Sequence, residues 1–124
     1  MENEGAHMNR KFFVLLLGLL LVTSYAAAQD RVVKISALSN DTLLLNGKPT
    51  DLPGLEAALK SAGTAGGEVW YYRENAAKEP PPSATAAVQM VIKYRLPVSF
   101  STKPDFSDTV DPSTGVSRLR QTQR

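Results

Sequence analysis

Few residues in this chain are equipped for chemistry. Cysteine is absent and the single histidine, His7, lies near the amino terminus. Thiolate metal sites and cysteine nucleophiles are therefore excluded, and acid–base work would fall to carboxylates. Asp105, Asp108 and Asp111 recur at three-residue steps, a spacing that could suggest an oxygen-ligand cation cluster. The stretch lacks the loop glycine and closing glutamate of an EF-hand, so it reads as a solvated acidic run. Glu68 and Glu74 flank the aromatic stretch Val69 to Tyr72, but their spacing pairs no carboxylates. No G-x-S-x-G occurs. The GTAGG run at 63–67 precedes a strand instead of opening a helix, and no Lys-Ser/Thr follows it. It reads as a connector and not as a phosphate cradle. The expectation is a non-enzyme with no catalytic residue, no cofactor and no metal.

The elements that would position these residues begin after a leader. Residues 8–29 have the three parts of a secretory signal peptide: Arg10 and Lys11, an apolar run from Phe12 to Val22, and Ala26-Ala27-Ala28 before Gln29. The apolar run is shorter than the ~20 residues that span a bilayer as a helix. An uncleaved anchor reaching to Ala28 is the alternative. The domain expectation is a signal segment over 1–28, a folded domain over 29–103 and a disordered polar, basic tail over 104–124. Such a core is close to the lower limit for a domain without disulfides, which favours oligomerisation or docking. A net charge of +2, scattered along the chain, is too weak for a nucleic-acid footprint.

Within 29–103 the patterns are legible. Arg31 to Ser39 alternates with Val33, Ile35 and Ala37 on one face, and Thr42 to Leu45 runs back beside it. Asn46-Gly47 is the strongest turn signal, since both residues tolerate the positive φ of a two-residue hairpin. Lys48 to Thr50 returns. Asp51 then caps a helix to Ala62 whose stripe is Leu52, Leu55, Leu59 and Ala62. Glu68 to Glu74 is a strand with Val69, Tyr71 and Arg73 on one face and Trp70 and Tyr72 on the other. Asn75 to Pro82 is a stiff loop. Ser83 or Thr85 caps a second helix to Tyr94, with Ala84, Ala87, Val88, Val91 and Tyr94 as its apolar stripe. Leu96 to Thr102 is the last strand, its proline marking either the strand's beginning or an edge. The fold class is α+β, a small mixed sheet with two helices packed on one face in ββ(β)αβαβ order.

With LLLNGKPTDLPGLEAAL in its first half and ATAAVQMVIKYRLPVSFST in its second, the chain resembles the periplasmic domain of the ExbD/TolR family over about Val32 to Thr102. The resemblance implies a scaffold that forms homodimers and serves proton-motive-force-coupled transport across the envelope. Its partner would be an envelope protein or peptidoglycan. Family members carry an aspartate within a single membrane helix, as a proton relay needs, whereas Phe12 to Val22 has no ionisable residue. The family's small residue and glycine between helix and strand are replaced by Tyr94-Arg95. The expectation is an exported, periplasmic bacterial protein, free of the membrane once the signal is cleaved, that keeps the domain without the channel part. A domain sharing only the layout and binding a small ligand along the aromatic strand is the alternative.

Overall fold

The computed structural model describes residues 31–121. The signal segment expected over 1–28 lies outside them. Within them β1 (Val32–Ala37), β2 (Leu43–Leu45), β3 (Lys48–Thr50), β4 (Glu68–Arg73) and β5 (Val98–Ser101) form one sheet in the order β3-β2-β1-β4-β5. Helix α1 (Leu52–Thr64) precedes β4 and helix α2 (Pro82–Lys93) precedes β5. The sheet is mixed: β1, β4 and β5 are parallel, and the β2–β3 hairpin is antiparallel to its neighbours. The fold is α+β, as the patterning predicts.

Topology explains why both helices share one face. The crossovers from β1 to β4 and from β4 to β5 step in the same direction across the sheet, and right-handed connections then place both helices on the same side. That face carries Val33, Ile35, Ala37, Leu43, Val69 and Tyr71, all buried, against Leu55, Leu59 and Ala62 of α1 and Ala84, Ala87 and Val91 of α2. Ile35, Leu55, Leu59 and Val69 are among the most deeply buried, and each removes an aliphatic side chain from water at about 1.5–3 kcal/mol.

The local signals act as their chemistry suggests. Asn46 and Gly47 have φ of 51° and 85°, and Asn46 also pairs with Lys34 of β1 through its own N–H (2.8 Å) and its Oδ1 (3.0 Å). Asp51 caps α1, its Oδ1 accepting from the Gly54 N–H at 2.8 Å. Helix α1 runs through Gly63 to Thr64, two residues beyond the expected end at Ala62. Gly67 brings the chain against Arg31, where a Cβ would collide with the Arg31 carbonyl. Helix α2 starts at Pro82, so the third proline of the loop is the first helical residue, where its missing N–H costs nothing.

The capping expected from Ser83 or Thr85 is corrected: Pro81 is the N-cap and supplies no side-chain bond. The cap comes from Asp41, whose Oδ1 accepts from the Ser83 N–H (2.9 Å) and Oγ (2.6 Å). Hydrogen bonds from the Ser83 hydroxyl and N–H hold the Asp41 carboxyl below its usual range.

The expected disordered tail is corrected as well. β6 (Asp108–Val110) and β7 (Ser117–Leu119) pair antiparallel in a separate two-stranded sheet. This hairpin lies by the sheet face away from the helices. The Phe106 ring meets Tyr72 edge-on at 6.5 Å, and the Arg120 guanidinium lies 3.8 Å from the Trp70 ring centroid. Parallel strands are rarely stable with one face open to water, and the carboxyl-terminal segment covers part of that face.

Candidate interaction surface

The two edges of the main sheet differ in how they meet solvent. The β3 edge is short and carries Lys48 and Pro49, two devices that deter pairing with another strand. The β5 edge, Val98-Ser99-Phe100-Ser101, carries no charge and no proline within it. Val69 N–H bonds to Pro97 O, and Val98 and Phe100 sit opposite Val69 and Tyr71. In a parallel ladder with that phase, the N–H and C=O of Val98 and Phe100 point away from β4.

The side chains beside that edge are apolar and exposed. Among the described residues the exposed large hydrophobics are Val88, Ile92, Val98, Phe100, Val116 and Leu119. Four of these belong to β5 and to the flank of α2 above it. Val88 and Phe100 line the same groove, and the antiparallel run of helix and strand carries Ile92, one turn on, toward Val98. Ile92 is 68% exposed, far more than a helix stripe serving only its own core requires.

The groove measures about 690 Å³ and is built from three layers. Thr85, Val88 and Gln89 come from α2, Tyr71 and Phe100 from the sheet, and Val110 and Pro112 from the hairpin. Because α2 and the hairpin lie on opposite sides of the sheet, a groove they share wraps round the sheet at its β5 side. The Tyr71 ring packs edge-on against Phe100 at 5.9 Å. Burial pushes the Tyr71 phenol up, opposed in part by the nearby Arg73 charge. Arg73 is the one charged residue among those lining the groove. Its guanidinium donates to the carbonyls of Ala76 and of Lys78, the latter at 2.9 Å. Among the described residues no carboxylate lies within ion-pair distance of it.

The carboxylates singled out in the sequence are dispersed and engaged. Glu74 Oε1 accepts from the Ser39 hydroxyl (2.7 Å) and N–H (3.0 Å), which tie the β1–β2 loop to the end of β4. Glu68 lies at the other end of β4. Asp105 and Asp111 close local turns on Ser107 and Ser113. Asp108 departs from the solvated run expected of it, because it is 1% exposed. Its carboxylate accepts from the Thr102 hydroxyl (2.6 Å), the Ser117 hydroxyl (2.6 Å) and the N–H groups of Thr102 and Lys103. Burial alone would raise its pKa; the hydroxyls of Ser117 and Thr102 and the two N–H groups outweigh that and bring it down to about 2. Among the described residues no group of three His, Cys, Asp or Glu is placed to hold a metal ion.

The aromatic strand divides between two surfaces. Tyr71 and Tyr72 line the groove, while Trp70 lines a hollow of about 600 Å³ with Phe106, Leu119 and Arg120. Sequence reasoning missed Arg73 and the groove's third wall, since both depend on where the hairpin lies. The signal available was the uncharged β5 sequence set against Lys48-Pro49 at the opposite edge. Among the described residues no helix is long and apolar enough to cross a membrane. No family model, curated protein or solved structure matches the chain.

Proposed function

We propose that this chain is an exported, periplasmic, non-catalytic interaction domain of the ExbD/TolR kind. It would dimerise and bind an envelope protein or peptidoglycan, as an accessory to proton-motive-force-coupled envelope transport. The observation that carries this reading is the β5 edge: outward-facing backbone groups, no gatekeeping charge, and exposed Val88, Ile92, Val98 and Phe100 beside them. Edge strands left in that state are templates for pairing. The layout over Val32–Ser101 accords with the resemblance, and the leader argues for export.

Sedimentation velocity of the whole chain across a concentration series tests the dimer, and co-sedimentation with purified sacculi tests the cell-wall partner. The reading expects a concentration-dependent dimer or retention in the sacculus pellet across salt concentrations. A monomer at all concentrations that stays in the supernatant would rule it out. The second reading, a small-ligand domain, is favoured by the placement of Tyr71, Tyr72 and Phe100 around one groove. Ligand-induced thermal stabilisation in a screen of metabolites, without self-association, would select it.

A further inference from the structure

We infer that the groove at the β5 edge binds an extended peptide segment by strand addition, with an acidic side chain of that segment seated on Arg73. The inference rests on the proposed interaction role and specifies the chemistry of the partner that surface takes. Three observations combine. The N–H and C=O of Val98 and Phe100 face outward at an edge that no described strand occupies. Strand addition uses such groups for affinity and pockets for alternate side chains for specificity. Phe100, Tyr71 and Val88 then form an apolar recess beside the added strand, with Val110 and Pro112 on its far side.

The third observation is electrostatic. The β4–β5 ladder ends at Tyr72 and Ser101, so Arg73 has no β5 residue beside it. A residue two places beyond the position opposite Phe100 lies ~6.6 Å further along the strand axis, level with Arg73. The groove contains this cation and no lining carboxylate, and Arg73 engages only carbonyls among the described residues. A guanidinium keeps donors in its planar fork after two carbonyls are served, and a carboxylate is its natural complement. An apolar, alternating segment that ends in an acidic residue matches the whole surface.

The test uses the full chain and a blocked, fluorescein-labelled hexapeptide, Thr-Val-Thr-Phe-Thr-Glu-amide, whose Val, Phe and Glu share one strand face, together with its reversed sequence. Fluorescence anisotropy is expected to show saturable binding of at least one orientation. Replacing the peptide's Glu by Gln should weaken binding about tenfold or more. Against the Arg73→Gln variant that same replacement should cost nothing further, while Arg73→Lys should retain part of the discrimination. N-methylation of alternate peptide amides should abolish binding in one parity and spare it in the other, an arm that leaves the protein untouched. Absence of saturable binding, indifference to N-methyl parity, or equal affinity for the Glu and Gln peptides overturns the inference. If these arms fail while the chain still dimerises or pellets with sacculi, the interaction role survives and only the peptide assignment falls. Peptide binding by a strictly monomeric, sacculus-indifferent chain would do the reverse.

Discussion

Asp108 concentrates more hydrogen bonds than any other carboxylate described, and its effect on stability has a definite sign. Its folded pKa, about 2, lies below the ordinary aspartate value of 3.8. The stabilisation is therefore fully present above about pH 4 and is lost as the pH falls toward 2. The shift corresponds to at most ~2.5 kcal/mol, less after allowing for nearby solvent. Acid titration followed by circular dichroism should show a loss of stability between pH 4 and 2 that Asp108→Asn removes, at the cost of a lower melting temperature at pH 7. Ser99 presents the opposite case: its Oγ is buried without a partner among the described residues. Ser99→Ala should raise stability by roughly 1 kcal/mol, about 4–8 °C in melting temperature for a domain of this size. Neither residue announced itself in the sequence. Three aspartates at equal spacing look alike until the chain folds, and only the position of Thr102 and Ser117 separates the middle one from its neighbours.

At the level of elements, local signals and long-range ones had unequal visibility. Asn46-Gly47, the Asp51 cap and the leucine stripe of α1 are readable because cause and effect lie within a few residues. Leu55 and Leu59, both 0% exposed, should each cost about 2–5 kcal/mol when cut to alanine, as chemical denaturation would measure. The start of α2 was hidden because its cap, Asp41, lies in another loop. Hidden too was the hairpin of β6 and β7. Its strands are three residues each and its sequence is polar, so nothing periodic marks it. What holds it is a polar network: Ser101 Oγ donates to Asp108 O at 2.7 Å, and Arg120 reaches Phe106 O, Asp108 O and Ser101 Oγ. Low apolar content is a sound argument against a separate core, but it does not exclude a segment that docks on an existing sheet.

For the molecule as a whole, the contrast between its two sheet edges predicts that the proposed association uses the β5 edge. Val98→Lys places a charge on the open edge, as Lys48 already does at the other, and should abolish self-association in sedimentation experiments while leaving the melting temperature of the monomer nearly unchanged. The same substitution at an edge already closed would have no such effect. The opposite face holds a different resource. Trp70 is the chain's sole tryptophan, and its ring meets both the Lys34 ammonium, 5.3 Å from its centroid, and the Arg120 guanidinium. Arg120 is the residue that straps the last strand down. The protein thus carries a built-in optical gauge: were the carboxyl-terminal strap to lift, this one indole would lose its guanidinium lid and gain water, and its emission would report the event with no label attached.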